Sequence, residues 1–441
     1  MDNNMRKVTR RDFLRMAVCV AAGGVLAACR PAAPAAKPAV KEEKAVEEKP
    51  AAPPEKVKID WWSHTYKPWN DELTRQKEVY EEENPEIEIT YTIYPGEELT
   101  TKFATALQAG TAGDILGAHS WMTPNLIAGD HIAEAPQWAL DDIKERFFPV
   151  CVDGATFRGK LYAYNQHIGG RGMIANVGLL EENNAEIPGS WDDMLKLTEV
   201  IDKQEGGMFT QAVANYDYQG EGLFASWGSI LKSYGGEILG EDLKTAAFNS
   251  DIGREAAELW TKFVHAEMGA SGEVFLLGQT AIMEAGPWYK ATIERDAPDM
   301  EFKAILVLKG PKAKIQCDYV WNWLVNNAAS DTVKEASFKF TQWLNSVENQ
   351  VSMYKASSLQ PTTYEALEHP DIKGEEWAKT FLEELEFKLQ YVAKISNWLE
   401  VDKAISDEFS LLATGEQSVY DTLSRAEAAV NKLLEEAEIF G

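Results

Sequence analysis

The stretch RGKLYAYNQHIGGRGMIANVGLLEENNAEIPGSWDDML, residues 158–195, shows how this chain is divided. Lys160 to Tyr164 is a short apolar strand that runs into Gly169-Gly170-Arg171-Gly172, and Met173 to Val177 is a second strand on the far side. Three glycines in four residues suit neither helix nor strand, because glycine loses the most conformational entropy in either. They suit a place where the backbone changes direction. Downstream, Pro188-Gly189 is a turn, and Ser190 with Asp193 reads as a helix N-cap with an acidic partner three residues on. Strand, glycine crossing, strand and capped helix describe a chain leaving one lobe and entering another.

The rest of the chain agrees with two lobes. Its 441 residues exceed one ordinary domain, and 45% hydrophobic residues can build sizeable cores. The 43 basic against 70 acidic residues give a net charge of −27, which lacks the basic footprint that nucleic acid requires. Fourteen tryptophans supply flat apolar faces, most of them for the core. No solenoid or propeller repeat is present.

The N-terminus reads as an address. Thr9-Arg10-Arg11-Asp12-Phe13-Leu14-Arg15 has the form of a twin-arginine export signal, and an apolar run from Met16 to Ala28 follows. That run is shorter than the ~20 residues of a spanning helix, so residues 1–28 are expected to be a signal peptide. Leu26-Ala27-Ala28-Cys29 is a lipobox, with Cys29 as the lipidated residue of a cell-membrane lipoprotein facing outward. Cys19 would leave with the signal, and Cys151 and Cys317 remain, either bridged or separately buried. Arg30 to Lys56 holds six prolines, eight alanines, five lysines and five glutamates without an aromatic residue. Residues 29–56 are therefore expected to be a tether that cannot bury a core. In polyproline geometry it would reach about 80 Å.

From Val57 the chain reads as α/β. Val57 to Trp62 is a strand, Pro68 to Glu83 a helix, and Ile87 to Ile93 a strand. Leu99 to Ala109 is a helix ended by Gly110, Asp114 to Leu116 a strand, and Thr123 to Ala128 a helix with proline in its first turn. Beyond the crossing, helices are expected at 190–203, 222–234, 252–266, 332–344, 349–354, 375–389, 398–412 and 418–439. Strands are expected at 209–214, 302–308 and 319–325.

No reaction is written in the sequence. Gly154 to Lys160 satisfies the first seven positions of a phosphate-binding loop, but Leu161 stands where Ser or Thr would hold magnesium, and a strand follows. Asn215 to Ser226 begins like a calcium loop and lacks the closing glutamate. There is no His-Glu-x-x-His, Gly-x-Ser-x-Gly or Cys-x-x-Cys. With 70 carboxylates, a pair suited to glycoside hydrolysis can always be found, so it carries no information. No metal or cofactor is indicated.

A binding crevice is better supported. Ligands of open α/β sheets sit at strand carboxyl ends, and a sugar wants aromatic faces beside polar side chains. His64, Tyr66 and Trp69 follow the first strand, and His119 and Trp121 the third. Gln166, His167 and Arg171 lie at the crossing, and Tyr216, Asp217 and Tyr218 follow a second-lobe strand. Trp61, Trp321 and Trp323, inside apolar strands, read as core.

Several motifs carry a resemblance: Gly159-Lys160-Leu161-Tyr162-Ala163, Ile174-Ala175-Asn176, Ile187-Pro188-Gly189-Ser190-Trp191-Asp192-Asp193-Met194, Phe248-Asn249-Ser250, and Gly278-Gln279-Thr280-Ala281-Ile282-Met283-Glu284-Ala285-Gly286-Pro287-Trp288. The chain resembles the family 1 extracellular solute-binding proteins, sugar-binding subunits of ABC importers that include maltose-binding protein. It departs from them at Tyr164-Asn165, where proline is usual, and at Ala175-Asn176-Val177, where Tyr-Asn-Lys is usual. The resemblance implies a two-lobed, type II periplasmic-binding-protein-like fold with a multi-crossover hinge. The expected lobes are 57–168 and 279–325 for the first, 169–278 and 326–441 for the second. It further implies Trp288 and Trp398 as rings stacked on a carbohydrate, expected to be an oligosaccharide, a monomer that closes on its ligand, and delivery to the permease subunits of an ABC importer. Two alternatives stay open: an exported lyase or glycosidase, and the binding subunit of a membrane sensor.

Overall fold

The computed structural model describes residues 56–440, which belong to one compact unit. The export signal, Cys29 and all of the tether except Lys56 lie outside the described residues. Among those described, no helix is long and apolar enough to cross a membrane.

The first lobe is built on a five-stranded sheet. Its strands are β1 (Val57–His64), β2 (Ile87–Tyr94), β3 (Ile115–His119), β4 (Ala163–Ile168) and, from much later in the chain, a strand at Val320–Val325. β1 pairs parallel with both β2 and β3, whereas Val320–Val325 runs antiparallel between β3 and β4. The second lobe holds β5 (Gly172–Asn176), flanked antiparallel by β6 (Ile282–Ala285) and β7 (Phe302–Ile305). β8 (Gln316–Asp318) precedes the late first-lobe strand, β9 (Val320–Val325), and pairs parallel with β10 (Lys388–Gln390) between the lobes.

The glycine crossing stands where the sequence puts it, with the strand ends displaced by one to four residues. β4 ends at Ile168 in one sheet and β5 starts at Gly172 in the other. Gly170 has φ of 72°, a left-handed conformation that glycine adopts without a Cβ penalty. The next helix, Trp191–Ile201, starts as expected: the Ser190 hydroxyl accepts the Asp193 amide at 3.1 Å.

Two expected lobe boundaries are corrected. Residues 279–285 do not return to the first lobe. The Ile282 amide donates to Val213 O at 2.7 Å, and β6 lies against β5, so the Gly-Pro-Trp motif belongs to the second lobe. Nor do Asn326-Asn327 form a crossing. Their amides donate to Asp114 O and His131 O, which ties them to the first lobe. The helix Asp331–Leu344 then packs on β1, β4 and β9, and Val347–Ser357 packs on Lys67–Glu83. The second lobe resumes at Glu376–Glu383, which packs on β7.

The expected single helix over 375–389 is also broken, into Glu376–Glu383, a tight turn at Glu384–Phe387 and β10. The cause is electrostatic. Lys388 and Asp318 are fully buried and 2.9 Å apart, with Glu384 Oε2 4.0 Å from the same ammonium. Lys388 also donates to Arg171 O, Asp318 accepts the Arg171 amide at 3.1 Å and the Tyr319 amide at 2.8 Å, and Glu384 accepts the Val307 amide at 3.0 Å. One buried ion cluster thus ties together all three crossings: 169–171, 306–319 and 384–391.

Cys151 packs under the first sheet and Cys317 in β8, both as buried free thiols, which resolves the open alternatives in favour of separate thiols. The stretch that resembled a phosphate-binding loop is a hairpin, Thr156–Phe157 paired with Lys160–Leu161 and turned by Arg158 and Gly159 at positive φ.

Candidate functional site

The carboxyl ends of β1 and β3, the amino end of β9 and the crossing converge on a cleft between the lobes. It has two connected chambers that share His64, His119, Glu221 and Trp321. The inner chamber, about 340 Å³, is closed by Tyr66, Trp69, His167, Arg171, Trp288 and Tyr319. The outer chamber, about 780 Å³, is walled by Trp121 and Gln219 and by the face Leu399, Asp402, Lys403, Ser406 and Asp407 of the helix Trp398–Ala413. These volumes suit small molecules.

Flat rings form the floor. The Trp321 ring stacks on His64 with centroids 4.1 Å apart and lies 3.7 Å from His119, which stacks in turn on Trp121 at 4.7 Å. Trp69 stands edge-on to His64 and His167. Burial, aided by mutual repulsion, holds His64 down at about 3. Burial likewise holds His167 at about 3 and His119 at about 4, so all three imidazoles are neutral. The 2.7 Å contact between His167 Nδ1 and Ile168 O places the ring proton on Nδ1. His167 Nε2 is then a bare acceptor, buried and without a partner.

Arg171 carries the charge at the centre. One terminal nitrogen donates to Glu221 at 2.7 Å and the other to Glu284 at 2.7 Å. Burial tends to raise the Glu221 carboxyl, but Arg171 outweighs it and leaves Glu221 below its usual range. For Glu284 burial wins over Arg171 and pushes it up to about 7. The short helix Gly220–Leu223 that presents Glu221 is held by the Ser406 hydroxyl, which accepts the Gly220 amide at 3.0 Å. His119 Nδ1 lies 3.5 Å from Glu221 Oε2, so the lobes meet across the cleft.

Of the residues named from sequence, His64, Tyr66, Trp69, His119, Trp121, Arg171 and Trp288 line the two chambers. Asp217 is exposed, within electrostatic reach of Arg171 and Glu221. Gln166 lines a separate small cavity with Gln76 and Gln350. Tyr216 is buried with its hydroxyl 3.5 Å from Met194 Sδ, and Tyr218 packs half-buried on the same core. Trp398 is fully buried against Phe224 and Tyr391, outside the cleft; the helix turns its next residues, from Leu399 and Asp402, toward it instead. Trp321, read as core, is the floor. Glu221, Tyr319, Asp402 and Ser406 went unnamed; only the polar spacing of Asp402 and Ser406 four residues apart on an apolar helix signalled a second wall.

Comparison with known proteins fits this geometry. Residues 76–380 match the model of the bacterial extracellular solute-binding protein family, and the chain belongs to that family. Membership implies an extracytoplasmic location, and the proteins of this family are solute-binding proteins. A putative binding protein of Brucella abortus is 27% identical over 258 residues, 53% of this chain and 59% of that protein, so the match spans under two thirds of the relative's length. An uncharacterized ABC transporter extracellular-binding protein of Pyrococcus horikoshii is 26% identical over 147 residues, 32% of this chain and 34% of that protein. Among solved structures, an ABC transporter solute-binding protein of Thermotoga lettingae bound with α-D-tagatose superposes with a TM-score of 0.76 at 16% identity, covering 86% of this chain and 99% of that one. The GacH receptor of Streptomyces glaucescens, solved unliganded and with acarbose, gives 0.72 at 21% identity, covering 86% and 98%. These likenesses show the two-lobed α/β fold expected from sequence.

Proposed function

We propose that this protein is the solute receptor of an ABC importer and captures a carbohydrate, an oligosaccharide by the volume of the two chambers, by closing its lobes. The observation that carries this reading is the pair of connected chambers, floored by stacked rings and edged by acceptors from both lobes. Sugar C–H faces lie on rings, and sugar hydroxyls donate to carboxylate and imidazole. A ligand drives closure only through contacts it makes better in the closed state. Here His64, His119 and Trp321 come from one lobe and Glu221 and Trp288 from the other. Sugar-bound relatives of the same fold support this reading. On it the loaded, closed form docks on the permease, and Cys29 anchors the receptor at the outer face of the membrane after twin-arginine export.

The test is tryptophan fluorescence of the purified protein titrated with a panel of mono- and oligosaccharides. A saturable change with one sugar, recovered intact, is expected. Cleaved sugar would replace the receptor with an enzyme, and silence across the panel would remove the carbohydrate.

A further inference from the structure

The cleft is short of cations. Four carboxylates stand in or against it, Glu221, Glu284, Asp402 and Asp407, beside two basic groups, Arg171 and Lys403. Both basic groups are already taken: Arg171 by Glu221 and Glu284, and Lys403 by both oxygens of Asp407 at 2.7 and 2.8 Å. The three imidazoles add no charge. Asp402 is left over. It is nine-tenths buried in the wall of the outer chamber, and its one hydrogen bond is from the Ser406 hydroxyl to Oδ1 at 3.1 Å. Among the described residues no basic side chain pairs with it. Burial pushes its carboxyl up to about 6, as befits a carboxylate without a counter-ion. Glu221 Oε2, on the residue shared by both chambers, is likewise buried and accepts no hydrogen bond, with His119 Nδ1 3.5 Å away. Trp121 and Trp321 line the same chamber.

Carboxylates with aromatic faces alongside are the chemistry that recognises an ammonium group, by ion pairing and by attraction to the ring quadrupole. A hydroxyl donates to a buried carboxylate but does not offset its charge. We infer that the outer chamber binds a protonated amine, held by Asp402 and Glu221 against Trp121, and that the ligand is an amino sugar in an oligosaccharide. This inference rests on the carbohydrate reading above. An amine lacking a sugar shares the ammonium chemistry, and the test separates the two.

The test is calorimetric titration of the purified full-length protein with an array of matched oligosaccharides in amine-bearing, N-acetylated and hydroxyl forms, and with diaminobutane. The amine form should bind tighter than its N-acetylated twin by about tenfold or more, with the advantage shrinking at high salt. Asp402→Asn, which keeps shape and removes charge, should erase that advantage and bring the amine form down to the affinity of its N-acetylated twin. Equal binding of all forms, or an advantage untouched by Asp402→Asn, overturns the ammonium site and leaves the carbohydrate reading standing. Binding of diaminobutane alone keeps the ammonium site and removes the carbohydrate. Silence from every probe overturns both.

Discussion

The hinge and the cleft are both polar clusters buried at the meeting of two lobes, yet they are finished differently. At the hinge, Lys388 and Asp318 spend every polar side-chain atom on each other and on the backbone of Arg171 and Tyr319, and within this cluster Glu384 Oε2 alone makes no hydrogen bond. In the cleft, buried polar atoms of His64, Trp69, His119, Trp121, His167, Arg171, Glu221 and Glu284 have no partner. A buried polar group left unpaired costs about 1–3 kcal/mol. What sets the cleft apart is that its unsatisfied groups are gathered on one surface, where a ligand can reach them.

The comparison can be broken most forcefully at the hinge. Lys388→Met leaves Asp318 and Glu384 buried without a cation and should cost about 3–5 kcal/mol in urea denaturation; a cost under about 1 kcal/mol would mean the crossings hold without it. In the cleft, Trp288→Ala should reduce sugar affinity by about 2 kcal/mol, thirtyfold, while the unfolding midpoint moves far less, because this ring is only half-buried.

Acidity should act with opposite sign on the hinge carboxyl Glu384 and on the cleft imidazoles. Glu384 is raised by burial to about 8 from an ordinary 4.5, so the folded protein keeps a proton there that the unfolded chain loses. Its contribution to stability falls as pH rises from 4.5 to 8. Glu384→Gln should therefore gain on the parent protein across that window. The imidazoles act oppositely: His64 and His167 at about 3 and His119 at about 4 lie below an ordinary 6.5, so their contribution is lost as pH falls below 6.5. His64→Phe should flatten that acid limb, read as the urea midpoint against pH. The smallest effect is expected from Asp402→Asn, which removes an unpaired buried charge and should leave stability unchanged or raise it by up to about 1 kcal/mol.

What the sequence disclosed was local. Gly169 to Gly172 announced the crossing because only a change of direction tolerates so many glycines, and Ser190 announced its helix through its own hydroxyl. What escaped was set by direction and distance. Trp321 sits in a run that is apolar except for Asn322, and searching strand carboxyl ends passes over it because β9 runs antiparallel, bringing its amino end to the cleft beside His119. Trp398 was placed one helical turn from the residues that face the ligand chamber, a displacement that separates a core ring from a binding wall. The lobe assignment of 279–285 depended on pairing with Val213 and Ile174, far away in sequence. The Lys388–Asp318 pair spans 70 positions along the chain, and nothing in either neighbourhood marks it.

Arg171 belongs to both regions: its amide and carbonyl are held by Asp318 and Lys388, and its guanidinium reaches into the inner chamber. Elsewhere the cleft can be re-specified residue by residue, since the side chains that meet the solute are separate from those that govern lobe travel. Position 171 allows no such independence. A lineage adapting to a new nutrient would vary Trp121, Asp402 or Trp288 freely and keep this arginine, and a sensor engineered from the scaffold should leave it untouched.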